Sequence, residues 1–358
     1  MSKKQRLGII YGGKSSEHEV SIHTALSVMN AVNKEQYEVI PIYINMEGQW
    51  VQGPLVHEMV ESIEELRLTA GVNPTPNILG LKEEFDMIFP VIHGPNGEDG
   101  TLQGLLELMD VPYVGSGVLG SSLGMDKIMM KEVYGNKEIP QGKYRGILRS
   151  DLKERFEDLV QEIENDFGYP CFIKPANMGS SVGISKAKDQ DALREALKLA
   201  ERFDRKIIVE EFINGRELEI GVLGNDRPET SVVGEITFEN EFYDYEAKYK
   251  GGGTRLTIPA QVPDSVVSRM KDLAVKAFLA LDCSGLSRVD FFWDVEKDQL
   301  YINEINTLPG FTPFSMYPMM WKEAGKSYEE LINTLIALGL ERYREKKENQ
   351  LVAEKFTS

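Results

Sequence analysis

The alternation of short apolar runs with amphipathic segments constrains the fold of this chain most strongly. Residues 6–11 and 37–45 are apolar runs of strand length, and residues 17–32 between them carry apolar side chains at near-helical spacing. A further apolar run follows at residues 86–93. A strand, a helix and a strand in succession need a crossover connection, which joins parallel strands and is right-handed. The pattern predicts an α/β fold that begins with a parallel sheet.

The same alternation continues along the rest of the chain. Helices are predicted at residues 125–134, 150–167 and 264–281, and strands at residues 171–174, 182–186, 206–213, 217–223, 230–238, 287–294 and 300–305. Glycine and serine are concentrated in residues 115–124, which predicts a linker and a first domain boundary. The charge-dense residues 340–358 are expected to form a solvated helix end or a frayed tail.

Charge and cysteine content exclude several classes of protein. The 358 residues include 40 Lys and Arg against 57 Asp and Glu, a formal charge of −17, whereas nucleic-acid-binding proteins carry a surplus of cations. No run approaches the roughly 18 apolar residues of a membrane span, and the apolar run near the start ends at Gly12, too early for a secretion signal. The two cysteines, Cys171 and Cys283, lie in apolar sequence, as packing residues do in a reducing compartment. We therefore expect a cytoplasmic protein with neither a nucleic-acid nor a membrane partner.

Three short motifs match known site patterns but lack the structure that those sites require. Residues 8–15 fit the phosphate-loop pattern, but the spacer residues 9–12 are mostly apolar strand and not a turn that wraps phosphates. The glycines of residues 115–120 fit a dinucleotide fingerprint but lie too far along the chain for a first strand-to-helix turn, so a hinge-like linker is expected there. His18 and His23 resemble a zinc helix, but a five-residue spacing turns them about 140° apart on a helix. Both histidines are expected to be surface or core polar groups.

Three oxygen-bearing side chains near the C-terminus form the strongest chemical pattern. Glu304 and Asn306 are two residues apart on a predicted strand and therefore share a face, and Asp290 joins them if the two short strands pair. Two carboxylates and a carboxamide suit Mg²⁺, which keeps water and phosphate ligands. A solvated acidic face is the alternative reading. Apolar residues that belong in a core alternate with these acids: Val289, Phe291, Ile302 and Ile305.

A lysine and a glycine-serine loop form a second pattern. Lys174 ends a predicted buried strand, and residues 179–183 supply the loop. Backbone amides, hydroxyls and an ammonium group together can hold a triphosphate. A hairpin with an ordinary glycine turn explains this segment equally well. Lys127 would be a second phosphate contact or a surface lysine of a helix.

Taken in order, segments along the chain resemble the D-alanine:D-alanine ligase family of the ATP-grasp superfamily. These segments are GGKSSEHEVS (12–21), HGPNGEDGT (93–101), MDK (125–127), KP with GSSVG (174–175 and 179–183), FYDYEAKY (242–249), RVD (288–290) and NEINTLPGFT (303–312). Any one of them is only suggestive, whereas the ordered set is specific and spans about residues 6–335. None of the family's catalytic positions is substituted.

The resemblance implies an ATP-grasp fold of three α/β domains, at residues 1–124, 125–215 and 216–358, with ATP between the sheets of the second and third. It implies that ATP is contacted by Lys127, Lys174, Ser180, Ser181, Glu210, Glu211, Ile213, Glu217 and Lys248. It also implies that Asp290, Glu304 and Asn306 hold two Mg²⁺ or Mn²⁺ ions, in agreement with the strand pattern.

The implied reaction joins two D-alanine molecules. ATP phosphorylates the first to an acyl phosphate, and the amine of the second displaces phosphate to give D-alanyl-D-alanine for peptidoglycan synthesis. The resemblance assigns catalysis to Glu17, Ser180, Tyr249, Arg288 and Gly310, and substrate binding to Glu17, His93, Arg288, Gly310, Ser315 and Met316. Residues 241–254, which carry Lys248 and Tyr249, would be a lid that excludes water from the acyl phosphate.

The resemblance also sets expectations for the acceptor and the assembly. Related ligases use D-lactate or D-serine as the second substrate, and Tyr249 favours the D-alanine dipeptide over the D-lactate ester. A homodimer is expected because family members are commonly dimers. An NAD-dependent dehydrogenase that uses residues 115–120 and a nucleotide-binding module without activity are the alternatives from other classes. The intact Arg288, Glu304 and Asn306 disfavour the second of these.

Overall fold

Three β-sheets organise the part of the chain that the computed structural model describes, residues 3–238 and 254–349. The strands are β1 (Gln5–Gly12), β2 (Tyr37–Ile44), β3 (Trp50–Gln52), β4 (Met87–Pro90), β5 (Tyr144–Leu148), β6 (Cys171–Pro175), β7 (Ser185–Ala187), β8 (Lys206–Glu211), β9 (Arg216–Gly224), β10 (Glu229–Phe238), β11 (Thr254–Thr257), β12 (Gly285–Asp294) and β13 (Gln299–Asn306). The helices are α1 (His18–Ala31), α2 (Leu81–Glu84), α3 (Thr101–Leu108), α4 (Val118–Met125), α5 (Lys127–Asn136), α6 (Arg149–Phe167), α7 (Gln190–Ala200), α8 (Asp264–Ala280), α9 (Met316–Glu323) and α10 (Tyr328–Lys347). The prediction of an α/β chain is confirmed.

The first sheet has the order β3-β2-β1-β4 and is parallel at its centre, as the alternating pattern predicted. β1 is buried from Leu7 onward, which is typical of a central strand whose sheet is covered on both faces. α1 covers one face through buried residues that include Ile22 and Met29. Because residues 9–12 belong to β1, the phosphate-loop match lies in a strand and its rejection is confirmed.

The other two sheets are antiparallel and pack against helices. The second has the order β5-β8-β6-β7, and α6 and α7 contribute Leu159 and Leu193 to its core. The third has the order β11-β10-β9-β12-β13, and α8 contributes Met270 and Phe278. Polar side chains on these sheets line a cavity, which is described below.

The predicted linker at residues 115–124 is wrong for most of its length, because α4 occupies residues 118–125. Its glycines serve packing: a Cβ on Gly120 would lie 2.7 Å from the carbonyl oxygen of Asp282. The helix predicted at 125–134 begins after Asp126, whose side chain caps it by accepting from the amides of Ile128 and Met129. The strand predicted at 182–186 is shorter than expected, since only Ser185–Ala187 pairs with β6.

The C-terminal helix α10 contributes to the core of the first sheet. Ser327 and Glu330 form a capping box at its start, and Leu331 and Leu335 are fully buried beside β1 residues. Ion pairs with residues near α3 hold its last turns, as between Lys346 and Glu107. The expectation of a solvated helix end is therefore confirmed for residues 340–347, while residues 350–358 lie outside the described residues.

The two cysteines and the helices test the expectations of packing cysteines and of no membrane span. Cys171 and Cys283 are buried free thiols, as the packing interpretation predicted. None of the helices in residues 3–238 and 254–349 is both long and apolar enough to cross a membrane.

Candidate active site

A cavity of about 930 Å³ lies between the second and third sheets. Its wall contains side chains of β6, β7 and β8 on one side and of β9, β12 and β13 on the other. Glu17, His93 and Gly310 line it as well. Small-molecule sites span roughly 300–1,000 Å³, so this volume suits a nucleotide together with a small second ligand.

Strand register brings the three predicted metal ligands together. Asp290 on β12 lies directly opposite Glu304 on β13, and Arg288 lies opposite Asn306. Directly opposite residues of an antiparallel pair share a face, and all four side chains line the cavity. On the other side of β12, Asp290 lies opposite Glu219 of β9, which adds a third carboxylate to this face.

Arg288 sits among these carboxylates. Its Nε and Nη2 donate to the two oxygens of Asp290 at 2.7 Å each, and Nε lies 3.1 Å from Oε2 of Glu219. Burial alone would lower the pKa of Arg288, but the charges of Asp290 and Glu219 outweigh it and raise that pKa well above its usual value. The cavity therefore keeps a permanent cation beside its acidic face.

The donor set at this face fits a hard divalent cation. Asp290, Glu304 and Asn306 offer only oxygen atoms, which Mg²⁺ prefers, and Oδ1 of Asn306 is oriented by the amide of Leu308 at 2.9 Å. Among the described residues, no three His, Cys, Asp or Glu side chains gather closely enough to hold a metal by themselves. A cation here would consequently need further oxygen ligands from water or phosphate.

Two lysines of the cavity wall share one buried carboxylate. Nζ of Lys174 lies 2.5 Å from Oε2 of Glu210, and Nζ of Lys131 lies 2.8 Å from Oε1. Burial raises the pKa of Glu210, but the two ammonium groups outweigh burial and hold it well below its usual range. Burial likewise lowers the pKa of Lys174, which Glu210 and then Glu304 raise. Glu210 and Lys174 are therefore both charged at neutral pH.

Lys127 reaches the site through a carboxylate and the glycine-serine loop. Its Nζ lies 3.2 Å from Oε2 of Glu304 and donates to the carbonyl oxygen of Met178 at 3.1 Å. The surface alternative for Lys127 is wrong, because its side chain is only 11% exposed.

The glycine-serine loop meets the start of α1 at Glu17. Ser180 and Ser181 have left-handed backbone, with φ of 49° and 59°, which costs a non-glycine residue roughly 1–2 kcal/mol. Ser180 Oγ donates to Oε1 of Glu17, and this contact helps to hold the strained loop. Glu17 immediately precedes α1, so its carboxylate joins this loop to the start of that helix.

Residues at the end of β8 and in the segment that follows it line another part of the cavity. Glu211, Phe212, Ile213 and Glu217 all face it, and Oε1 of Glu211 accepts from the amide of Lys143 at 2.6 Å. The rings of Phe172 and Phe212 lie 6.2 Å apart, and Nζ of Lys186 lies 4.1 Å from the Phe212 ring centroid. Flat apolar surface of this kind suits a purine base.

His93 is held by a buried network at the Glu17 end. Its Nε2 lies 3.0 Å from Thr24 Oγ1, and its Nδ1 lies 3.3 Å from Glu98 and 3.2 Å from the carbonyl oxygen of Leu308. Burial lowers the pKa of His93, but hydrogen bonding and charge from Glu98 outweigh it, so the pKa is raised. His18, by contrast, bonds to Gly13 and Tyr43, which confirms its structural role.

The segment after β13 carries the predicted acceptor residues. Gly310, Ser315 and Met316 line the cavity, and Ser315 precedes α9. Ser315 Oγ accepts from the amide of Thr312 at 3.1 Å. Lys248 and Tyr249, and the predicted lid apart from Thr254, lie outside the described residues.

Three side chains of the site escaped the sequence analysis: Lys131, Glu219 and Glu98. Glu219 follows Glu217 by two residues on β9, so strand alternation could have found it. Lys131 follows Lys127 by four residues on α5, so helical spacing could have found it. Glu98 lies in a loop, where no periodic signal marks a residue.

Comparison with family models gives two matches in succession. The model described as D-ala D-ala ligase N-terminus matches residues 6–116, and D-ala D-ala ligase C-terminus matches residues 133–337. Together the two matches cover most of the chain.

Curated proteins and solved structures agree with these matches. The D-alanine–D-alanine ligases of Geobacillus kaustophilus and Bacillus velezensis are both 51% identical, over 96% and 94% of this chain and 97% and 98% of their own lengths. The structure of the D-alanine–D-alanine ligase from Coxiella burnetii has a TM-score of 0.81 at 32% identity, covering 96% of this chain and 98% of its own. The VanG D-Ala:D-Ser ligase from Enterococcus faecalis has a TM-score of 0.83 at 36% identity, covering 94% of this chain and 100% of its own.

Proposed function

This chain belongs to the D-alanine–D-alanine ligase family, and we propose that its cavity joins two D-alanine molecules at the expense of ATP. The enzyme is an ADP-forming carbon–nitrogen ligase with the ATP-grasp fold. The observation that carries this proposal is the arrangement of one cavity, in which lysines, an oxygen-only metal face and Glu17 all line a common space. Its product would supply peptidoglycan synthesis.

ATP would lie with its base against the residues at the end of β8 and its phosphates toward β12 and β13. Glu210, Glu211, Ile213 and Glu217 line the first part of this path, and Lys174 lies between them and the metal face. Ser181 would supply its hydroxyl, and Ser180 and Ser181 would supply backbone amides of the strained loop, for phosphate oxygens. Lys127 would add positive charge beside Glu304, and Lys248 is proposed as a further contact.

Asp290, Glu304 and Asn306 would hold two Mg²⁺ or Mn²⁺ ions together with phosphate oxygens. When bound, such ions neutralise the charge of the triphosphate and orient its terminal phosphate. The donor atoms are all oxygen, and strand register already places them on one face. Local cations of this kind offset the overall charge of −17 within the cavity.

The chain's own residues would bind the first D-alanine next to the terminal phosphate. Glu17 would accept from its ammonium group, and His93 would lie beside it. A carboxylate oxygen of this D-alanine attacks the γ-phosphorus of ATP, ADP leaves and an acyl phosphate forms. No protein nucleophile takes part, so positioning and charge supply the rate.

The second D-alanine would bind by its carboxylate near Ser315 and Met316. Its amine, after losing a proton, attacks the acyl carbon, and phosphate leaves with the bridging oxygen. Arg288 and the backbone amide of Gly310 would stabilise the oxyanion that develops between these steps. Ser180, with Tyr249 of the proposed lid, would keep Glu17 oriented through both steps.

A specific alternative exists for the second substrate, which accepts the activated D-alanine. VanG, which is a D-Ala:D-Ser ligase, is 36% identical to this chain. D-Serine is therefore a competing acceptor, and D-lactate is the alternative that the family resemblance implies, while the curated relatives at 51% identity favour D-alanine.

Three further features complete the proposal. We assign domains to residues 1–124, 125–215 and 216–358, in support of which the three sheets fall within residues 5–90, 144–211 and 216–306. We place the enzyme in the cytoplasm because its two buried cysteines are free. We propose a homodimer on family resemblance, and light scattering with mass determination tests it.

Phosphate release from ATP tests the function directly. Release should require both D-alanine and Mg²⁺, and mass spectrometry should find D-alanyl-D-alanine as the product. L-Alanine serves as the control and should give no phosphate. A main product containing D-serine or D-lactate from an equimolar mixture would replace the assignment with the competing acceptor.

A further inference from the structure

Lys131 is a buried cation of the cavity wall to which the reaction described above gives no role. It lies on α5, and its side chain is only 3% exposed. Its Nζ lies 2.8 Å from Oε1 of Glu210 and 5.6 Å from the ring centroid of Tyr144. Lysine is seldom buried to this degree unless it is paired, so the Glu210 carboxylate accounts for its position.

Glu210 divides its two oxygens between two ammonium groups. Lys131 binds Oε1, whereas Lys174 binds Oε2, and the side chain of Glu210 is 9% exposed. An ionised carboxylate has about four lone-pair sites, so two remain after these contacts. Glu210 also lines the cavity, so its position bears on a bound ligand.

The shared pairing makes Lys174 depend on Lys131. Two ammonium groups around one buried carboxylate leave a net positive charge, and each is bound less tightly than a single partner would be. Without Lys131, Lys174 would be the one lysine of the two left on Glu210, and the carboxylate would hold it more strongly.

We propose that Lys131 is a positioning residue of the nucleotide site, which fixes Glu210 beside the base and leaves Lys174 able to meet the phosphates. The inference rests on the proposed function, in which Glu210 and Lys174 contact ATP. Lys131 acts through Glu210, so its effect on the nucleotide must disappear when the Glu210 charge is removed.

A double-mutant cycle on ADP binding tests this dependence. Wild type, K131M, E210Q and the double variant are titrated with ADP and Mg²⁺ by calorimetry, so that turnover plays no part. K137M, at an exposed lysine that ends α5, is the matched control. We expect K131M to weaken ADP binding roughly tenfold, the size of a coupling near 1.4 kcal/mol. K131R should restore most of that affinity, and K131M should add little in the E210Q background.

The outcomes separate the inference from a structural role and from the proposed function. Equal affinity of wild type and K131M, even with a lowered melting temperature, would overturn the inference. Additive losses in the double variant would overturn it as well, because Lys131 would then act independently of Glu210. Failure of wild type to bind ADP would instead refute the proposed function. If K131M does not fold, K131Q replaces it with the same expectations.

Discussion

Substituting Gly94 by alanine should damage the first-substrate site far more than it damages the fold. Gly94 has a φ of +74°, and a Cβ built on it would lie 2.4 Å from Oε2 of Glu17. Ordinary van der Waals contact begins near 3.4 Å, so the carboxylate would have to retreat by about 1 Å. This retreat costs little stability because the carboxylate is the end of a flexible side chain.

Two separate magnitudes follow from this geometry. The left-handed backbone costs alanine roughly 1–2 kcal/mol, which should appear as a loss of folding free energy. A displacement of about 1 Å at a group that positions substrate can cost about 10²-fold in rate, which should appear in kcat/KM for D-alanine. ADP binding should be largely retained, because most of its proposed contacts, such as Lys174, Glu210 and Glu217, lie on β6, β8 and β9.

Steady-state kinetics and urea unfolding of matched variants separate the two effects. G71A is the backbone control, since Gly71 has a φ of +83° and nothing within 4 Å of a built Cβ. G179A is a milder test of the same carboxylate, because its Cβ would lie 3.0 Å from Oε2 of Glu17. A G94A enzyme that loses stability as G71A does, yet keeps the wild-type kcat/KM for D-alanine, would refute the role assigned to Glu17.

Three other changes test separate parts of the cavity. Glu304→Gln should raise the Mg²⁺ concentration for half-maximal activity by roughly tenfold or more, because an amide binds hard cations more weakly than a carboxylate; an unchanged Mg²⁺ titration would contradict the metal face. Lys174→Met should weaken ADP binding by about 1.5–3 kcal/mol, the range for a hydrogen bond to a charged group, and calorimetry that finds equal affinity would rule this contact out. Burial lowers the pKa of His93, but Glu98 outweighs burial and raises that pKa. The contribution of protonated His93 to the free energy of unfolding is therefore full below the unfolded pKa of about 6.5. It is lost as pH rises through the pKa of the folded state. His93→Asn should therefore remove a fall in unfolding free energy above about pH 6.5, and superimposable curves of stability against pH would show that His93 does not contribute.

Strand alternation made the acidic face predictable from sequence. Glu304 and Asn306 must share a face because strand side chains alternate, and the apolar neighbours indicated a core position. The sequence predicted that Asp290 joins them only if the two strands pair, because the pairing of two strands depends on their turn and on the rest of the sheet. The structure supplies this pairing.

Tertiary contacts explain what the sequence left undetermined. Glycines of residues 115–124 predicted a linker, but close packing of α4 against Asp282 favours small residues inside a helix. The burial of Lys131 follows from Glu210, which lies 79 residues further along the chain, and local patterns carry no information about such a pair. The contact of Ser180 with Glu17 joins residues 163 positions apart, and periodicity cannot reveal it either.

Isotope transfer from D-alanine tests most directly whether this cavity brings a small carboxylate to the γ-phosphate of ATP. D-Alanine labelled with ¹⁸O in both carboxylate oxygens is incubated with ATP and Mg²⁺, and the released phosphate is analysed by mass spectrometry. The acyl-phosphate route predicts one ¹⁸O in each phosphate and one in the new peptide carbonyl. Unlabelled phosphate released in step with dipeptide would show that the carboxylate is not phosphorylated and would contradict the account.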